Sequence, residues 1–261
     1  MDNKLIAIGL LALAIGLAFY FVFKPRRKWK LPQAPFPEGW RSILLEKVSF
    51  YVKLDKDSRT LFETKTQEFL LNHKITGVEV AVNDTDRVLI AASAIIPIFS
   101  FPEWRYTNLD EVLIYPRSFN EDFQFDKKQK DRQILGMVGT GYMEGKMVLS
   151  RNALHQGFLN ETDKQNTAIH EFVHLIDKMD GWIDGVPNVL MERQYVIPWL
   201  DMISDKMEEI RQGGSGINPY AKTSKVEFFA VVSEYFFERP ELLKRKHPEL
   251  YDLLEKVFKT K

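Results

Sequence analysis

Apolar residues divide the chain into predicted helices and a few short strands. They recur every three or four residues over 41–71, which predicts a helix there. The stretch DRVLIAASAIIPIF is almost wholly apolar and predicts a buried helix that ends at Pro97. Short β-rich runs at 111–116 and 146–150 predict strands, so the expected fold class is α+β, mostly helical with a small sheet. The remaining helices are predicted over 162–180, 191–211, 223–238 and 248–259.

The N-terminal segment from Leu5 to Phe23 carries no charge. Its 19 residues are enough for a helix to span the hydrocarbon core of a bilayer. Five positive charges follow between Lys24 and Lys30, which under the positive-inside rule places the rest of the chain in the cytoplasm. The sequence therefore predicts a single-pass membrane protein with a cytoplasmic domain. A buried core helix and an uncleaved export signal are the alternatives.

A proline-rich stretch follows this segment, with Pro25, Pro32, Pro35 and Pro37 marking an extended linker. Three parts are expected along the chain. They are a transmembrane anchor over 1–23, a basic juxtamembrane linker over 24–39 and a folded domain over 40–261.

The composition narrows the possible functions. The 261 residues include 36 basic and 36 acidic ones, so the chain lacks the basic surplus of a nucleic-acid-binding protein. There is no cysteine, which excludes disulfides and thiolate metal sites. Any metal must therefore bind to histidine, aspartate or glutamate.

The stretch TAIHEFVHLIDKMDG, residues 167–181, carries the candidate chemistry. On a helix, His170 and His174 lie about 40° apart on one face, one turn above the other. Two imidazoles at this spacing can bind one zinc ion, and Glu171 beside them can act as the general base toward a zinc-bound water. Thr162 and Gln165 have the spacing of a capping box, which places the start of this helix at residue 162. The alternative is a solvated polar face.

The sequence leaves the third ligand open. Asp180 stands where some zinc peptidases carry a third ligand, but position 177 is Asp instead of the glycine which that turn needs. Asp177 itself is better placed to orient a histidine. Glu227 and Glu234, seven residues apart, share one stripe of an apolar helix, and either could reach the histidines. Ser224 and Glu227 also match a capping box, which would give Glu227 a structural role.

Three separated motifs together carry a family resemblance: EVLIYPRSF, HEFVHLIDKMDG and INPYAKTSKVEFFAVVSEYFF. In their order they resemble the Mlc titration factor A family of zinc peptidases, over a region from about Pro37 to the C-terminus. That family is similar in its catalytic core to the protease domain of anthrax lethal factor. The resemblance implies a zincin-like peptidase domain of the gluzincin type over 40–261.

The resemblance also implies a role for each matching residue. His170, His174 and Glu227 would be the ligands of a Zn²⁺ cofactor. Glu171 would be the general base, and Tyr220, seven residues before Glu227, would donate a hydrogen bond to the oxyanion of the intermediate. Three further acidic residues become candidates to orient the ligands from behind: Asp177, Asp180 and Glu234.

The expected function is zinc-dependent hydrolysis of peptide bonds in a peptide or protein substrate. The expected partners are the membrane, through the N-terminal helix, and a transcription regulator, since the family's named partner is the glucose-responsive repressor Mlc. No nucleic acid is expected. The strand predicted over 146–150 is a candidate to pair with the extended substrate backbone. The rival hypothesis is a zincin-fold binding module that sequesters a cytoplasmic regulator with weak or no hydrolysis, and a purely structural zinc domain is a third.

Overall fold

The fold is a mostly helical α+β arrangement around one four-stranded sheet, as the apolar pattern predicts. The structure, a computed structural model, describes residues 16, 19, 28–120, 124, 134–160 and 163–259. Within it, Leu31–Lys261 forms one compact unit. The domain boundaries expected after residues 23 and 39 stay a prediction.

The described residues contain ten α-helices and four β-strands. The helices are α1 Glu38–Lys47, α2 Ser49–Lys53, α3 Lys56–Asn72, α4 Asp84–Ile98, α5 Arg151–Leu159, α6 Thr167–Asp177, α7 Val196–Arg211, α8 Lys225–Glu238, α9 Pro240–Lys246 and α10 Pro248–Phe258. The strands are β1 Lys74–Gly77, β2 Glu111–Tyr115, β3 Gly136–Val138 and β4 Lys146–Ser150. Single turns of 3-10 helix cover Gly141–Met143, Lys178–Asp180, Arg193–Tyr195 and Pro219–Lys222.

The sheet has the strand order β1-β2-β4-β3. Strands β1, β2 and β4 are parallel, and β3 runs antiparallel to β4 at one edge. The predictions of β2 and β4 are confirmed. The sequence did not predict β1 and β3, because runs of four and three residues are too short to show an alternating pattern.

Helix α6 lies at the centre of the fold. It packs against α4 on one side and α8 on another, and it also contacts β3 and β4. Its apolar face is fully buried, with the Phe172 ring 5.2 Å from that of Tyr106 and 5.7 Å from that of Phe69, between centroids. Helix α4 is buried along most of its length, as its apolar sequence predicts. The polar residues of α6 are therefore held by a rigid core.

Several helix boundaries differ from the predictions for local reasons. The helix predicted over 41–71 is three helices, with a first break at the extended Val48 and a second before Lys56. At the second break, Asp55 caps α3 by accepting a hydrogen bond from the backbone N–H of Ser58 (2.8 Å). Helix α6 begins at Thr167 instead of 162, since Asn166 is its N-cap and accepts from the N–H of Ile169 (3.1 Å). Pro97 lies within the last turn of α4, one residue before the helix ends.

The predicted single-pass membrane location needs correction. Among the residues that the structure describes, no helix combines the length and the apolar character required to cross a bilayer, and this finding overturns the prediction of a membrane protein with a cytoplasmic domain. Even the buried helix α4 has only 15 residues, or about 22 Å, against a hydrocarbon core of about 30 Å. The run from Leu5 to Phe23 lies outside the described residues, apart from Gly16 and Phe19.

Candidate metal centre

Helices α6 and α8 bring three ligand-type side chains together at their contact. Nε2 of His170 lies 3.0 Å from Nε2 of His174 and 3.0 Å from Oε2 of Glu227. Nε2 of His174 lies 3.5 Å from the same carboxylate oxygen. Three atoms with lone pairs thus converge on one point from two different helices, with the one-turn histidine spacing that the sequence predicts.

The donor set has the geometry that a metal such as zinc requires. A tetrahedral zinc ion about 2.0–2.1 Å from each nitrogen or oxygen needs ligand atoms roughly 3.3 Å apart. The three distances between these atoms, 3.0, 3.0 and 3.5 Å, bracket that value. Two imidazoles and one carboxylate are also a donor set that suits zinc, and three protein ligands leave a fourth position open. The set could therefore hold a metal ion with room for a water or substrate.

Glu234 lies directly behind His170. Its Oε1 accepts a hydrogen bond from Nδ1 of His170 (2.7 Å), and its Oε2 accepts from the backbone N–H of Asn166 (2.7 Å). This carboxylate is buried. It fixes the ring so that Nε2 faces Glu227, and it joins the first turn of α6 to α8.

The carboxylates make the centre favourable for positive charge. Burial alone lowers the pKa of His170, but the carboxylates of Glu234 and Glu227 outweigh that effect and raise it well above 6.5. Burial by itself raises the pKa of Glu227. The hydrogen bonds and charges of the two histidines outweigh burial, and the pKa of Glu227 is below its ordinary value. A bound cation would be stabilised by the same carboxylates.

Glu171 projects toward the sheet from the same turn as His170. Its side chain is only 5% exposed, and it lies directly against Gly136 of β3. A Cβ atom on Gly136 would stand 2.7 Å from Oε1 of Glu171, so only glycine leaves room for the carboxylate there. Burial raises the pKa of Glu171, while the neighbouring histidines lower it. The result is a desolvated carboxylate beside the three converging ligand atoms.

Tyr220 lies across the opening from α6. It belongs to the 3-10 turn Pro219–Lys222, where Asn218 accepts a hydrogen bond from the Tyr220 N–H (3.0 Å). The ring centroid of Tyr220 is 6.3 Å from that of His170, and the residue is 38% exposed. The structure therefore brings this tyrosine to the edge of the site.

The two aspartates after the second histidine lie in different places. Asp177 is buried, and its Oδ2 accepts from the N–H of Gly185 (3.0 Å). Its Oδ1 and Nδ1 of His174 both lack a hydrogen-bond partner in the described part of the chain, so the expected bond between these residues is not formed. Burial raises the pKa of Asp177 to about 6. Asp180 is exposed and accepts from the N–H of Trp182 (2.9 Å) and from Asn188 (2.8 Å), within the loop after α6.

The histidines and Glu227 lie in a cleft of about 710 Å³, which we call the main cleft. Strand β3 forms one wall of it, with Glu171 and Tyr220 also in the lining. The strand predicted over 146–150 is β4, but it lies between β2 and β3, so both of its hydrogen-bonding edges are used. The sheet edge at the main cleft is β3. Its register with β4 directs the backbone N–H and C=O groups of Gly136 and Val138 away from the sheet.

Two residues of this site were missed in the sequence. Gly136 is an isolated glycine in a short strand, a pattern that often marks a close backbone approach. Asn166 directly precedes the apolar run of α6 and is a favoured N-cap type. The capping-box spacing of Thr162 and Gln165 indicated instead that the helix begins at residue 162.

A histidine pair on one helix, a glutamate from a second helix and a neighbouring edge strand are typical of a metallopeptidase domain. Comparison with known proteins agrees with this class. The model of the family described as glucose-regulated metallo-peptidase M90 matches residues 22–259, and the chain belongs to this family. The family resemblance inferred from the three motifs is thereby confirmed.

Three relatives show how far the similarity extends. The "Uncharacterized protein slr2042" of Synechocystis is 28% identical over 261 residues, covering 95% of this chain and 94% of its own length. "Mlc titration factor A" of Pectobacterium atrosepticum is 26% identical, covering 87% of this chain and 88% of its own. The protein of the same name from Yersinia pestis is 33% identical, covering 85% of each chain. The similarity therefore spans the helices and the sheet alike.

Proposed function

We propose that the chain is a zinc-dependent peptidase that binds its metal through His170, His174 and Glu227. The observation that carries this proposal is the convergence of two imidazole nitrogens and one carboxylate oxygen within 3.0–3.5 Å, beside the buried carboxylate of Glu171. When bound, zinc supplies Lewis acidity that activates a water and polarises the scissile carbonyl. The remaining steps belong to side chains and backbone of this chain.

Glu171 is proposed as the general base and then the general acid. Its buried carboxylate accepts a proton from the attacking water and delivers it to the amine that leaves. Gly136 keeps this carboxylate in place, because the bare Cα lets the strand lie against it. Glu234 holds the ring of His170 through Nδ1 throughout the cycle.

The edge of β3 is proposed to hold the substrate in an extended conformation. An incoming peptide strand can pair with the outward backbone groups of Gly136 and Val138, as other peptides add to exposed sheet edges. This pairing would place the scissile bond beside Glu171, which touches Gly136. Tyr220, at the opposite side of the main cleft, is proposed to donate its phenolic hydrogen to the oxyanion that develops.

The test is hydrolysis of a mixed library of peptides by the full chain and its Glu171→Gln variant. We expect cleavage by the native chain and a loss of at least about 10²-fold in the variant, with zinc content unchanged. Glu46→Gln serves as the matched control, because Glu46 is an exposed surface glutamate. Native turnover in Glu171→Gln, or no cleavage by the zinc-loaded native chain, contradicts the proposal.

Binding of a transcription regulator is the second candidate function. It is favoured by the relatives named Mlc titration factor A and by exposed apolar side chains at Ile183, which lines the main cleft, and at the preceding Trp182, which is 73% exposed. Purified Mlc repressor would then bind the chain, and the complex should survive Glu171→Gln but weaken in Trp182→Ala. Failure of both the native chain and Glu171→Gln to bind Mlc at micromolar concentration removes this candidate.

A further inference from the structure

Strand β3 follows α6 along one wall of the main cleft, from the middle of the helix to its end. Gly136 lies against Glu171, and further along the strand the C=O of Gly139 accepts a hydrogen bond from Nζ of Lys178 (3.0 Å). Because side chains alternate along a strand, Val138 points to the same face of the sheet as Gly136, and it lines the main cleft. The wall formed by β3 therefore continues past Glu171 toward the C-terminal end of α6.

The loop after α6, residues 181–185, adds a second apolar side chain to the lining. Ile183 lines the main cleft and stays exposed, although the loop that carries it is well anchored. The N–H of Gly185 donates to Oδ2 of the buried Asp177 (3.0 Å), and its C=O accepts from Nε1 of Trp199 on α7 (2.8 Å). The bare Cα of Gly185 also lies against the start of α8, where a Cβ would stand 2.4 Å from a backbone oxygen. Three helices thus fix the loop that presents Ile183 to the cleft.

Among the described residues that line the main cleft, the ionisable side chains at and around the candidate metal centre are the only charged ones. Two large apolar side chains of the lining, Leu135 and Ile183, are 47% and 43% exposed. Exposed apolar groups that gather in one groove mark a binding surface. The apolar side chains described in the lining are those of Ile134, Leu135, Met137, Val138, Ile183 and Val231.

The charged groups close to Ile183 in the chain are engaged within the protein. Nζ of Lys178 pairs with a carboxylate oxygen of Glu144 (2.6 Å). Asp180 and Asp184 each accept a hydrogen bond from the backbone N–H two residues later (2.9 and 3.0 Å). None of these four residues belongs to the lining of the main cleft. An apolar side chain therefore suits the surface around Ile183 better than a charged one.

We propose that Val138 and Ile183 form an apolar subsite, which selects peptides with a large aliphatic or aromatic side chain two residues from the cleaved bond. This assignment rests on the proposed peptidase function. A peptide strand paired with β3 has residues opposite Gly136 and Val138, and both direct their side chains to the face of the sheet that Gly136 turns toward Glu171. The residue opposite Gly136 lies beside Glu171, so the residue opposite Val138 is two positions, or about 7 Å, further along the peptide. An apolar side chain there removes exposed surface of Ile183 from water, which favours binding.

Peptides that differ at a single position provide the test. An otherwise uncharged host peptide carries Leu, Ser or Glu at each position in turn, and mass spectrometry of the products identifies the cleaved bond. We measure kcat/KM with the full native chain and binding by fluorescence anisotropy with the zinc-loaded Glu171→Gln variant. Ile183→Ala and Ile183→Lys are introduced into both proteins. The matched controls are Ile197→Ala and Ile197→Lys, because Ile197 is 71% exposed and lies outside the lining of the main cleft.

We expect the Leu peptide to be cleaved and bound about tenfold better than the Ser peptide when the variable residue lies two positions from the cleaved bond on one side. A factor of this size is typical when part of a large apolar side chain is buried. The preference should fall below about twofold in Ile183→Ala, since the apolar contact is lost. Ile183→Lys should favour the Glu peptide over the Leu peptide, because it places a positive charge in the subsite. Both Ile197 variants should keep the native preference.

Equal binding of the Leu and Ser peptides at every position overturns the subsite, as does a Leu preference that Ile183→Ala leaves intact. Failure of every peptide to bind also overturns it. Failure of the peptidase proposal is distinct, because it is read from turnover by the native chain. A Leu preference in binding that depends on Ile183, without turnover, would retain the subsite and reject hydrolysis. Turnover without any such preference would retain the peptidase and reject the subsite.

Discussion

Oε1 of Glu234 lies 2.7 Å from Nδ1 of His170, so a buried carboxylate on α8 sets the orientation of a histidine on α6. The other oxygen of Glu234 accepts from the N–H of Asn166, at the start of the same helix. One side chain therefore fixes both the tautomer of the histidine and the position of the helix that carries it. The centre depends on the contact between the two helices as much as on its ligands.

Glu234→Gln tests that relationship. The neutral amide cannot hold the His170 ring as strongly, and loss of such an outer partner typically weakens metal binding 10- to 100-fold. We expect that change in zinc affinity, measured by competition with a chelator, and a loss of about 1–3 kcal/mol in unfolding free energy. Glu241→Gln, at an exposed position of α9, should change neither value. Unchanged zinc affinity in Glu234→Gln would show that His170 needs no partner at Nδ1.

Gly136→Ala tests the contact between β3 and Glu171. The new methyl group would stand 2.7 Å from the carboxylate, and pairing with β4 holds the backbone in place. We expect peptide hydrolysis to fall at least tenfold while zinc content is retained, since Glu171 is displaced and the ligands are not. Gly39→Ala is the control, because a Cβ there meets nothing within 4 Å. Full activity in Gly136→Ala would argue against the assigned position of the base.

Tyr220→Phe tests the phenolic hydroxyl. Removal of one hydrogen-bond donor to an oxyanion typically lowers kcat by about 10²–10³. We expect a loss in that range with little change in zinc content, because Tyr220 is not among the converging ligands. Tyr142→Phe provides the comparison, as Tyr142 is a highly exposed tyrosine outside the main cleft lining. Equal kcat values for the two variants would remove Tyr220 from the mechanism.

Acid stability of the sheet should depend on Glu111. This residue binds Lys146, Thr76 and Lys74, and these contacts lower its pKa to about 2, below the ordinary value of 4.5. A carboxyl whose pKa is lowered on folding stabilises the fold above pH 4.5, and that contribution is lost as the pH falls toward 2.

The shift corresponds to at most about 3 kcal/mol, and solvent screening at the exposed Lys74 reduces this to about 1–2 kcal/mol. Urea unfolding between pH 7 and pH 2 should therefore show a shallower loss of stability in Glu111→Gln than in the native chain. Parallel pH profiles for the two proteins would contradict this assignment.

The sequence predicted the helix that carries His170 and His174, because the evidence for this helix lies in neighbouring residues. His170 and His174 are four residues apart, so any helix at that position places them one turn apart on the same face. The apolar neighbours that bury α6 are equally visible in the sequence. The shared face of His170 and His174 therefore follows from their spacing, whereas the third candidate ligand does not.

The choice between Glu227 and Glu234 could not follow from spacing, because both lie on the same stripe of α8. The stagger of α8 along α6 decides which glutamate meets Nε2 of His170 and which meets Nδ1. That stagger comes from tertiary packing between residues about 60 positions apart. The contact between Gly136 and Glu171 could not be predicted from the sequence either, because β3 is defined only by its pairing with β4.

The proposed zinc site is shared by two helices, and the metal content of the protein is its most direct test. Zinc is measured by mass spectrometry in the full chain, in Glu227→Ala and in the surface control Glu241→Ala. We expect about one zinc ion per native chain and per control chain, with a sharp drop in Glu227→Ala. Zinc that is unchanged in Glu227→Ala would place the third ligand elsewhere, and a native chain that binds no zinc would contradict the site altogether.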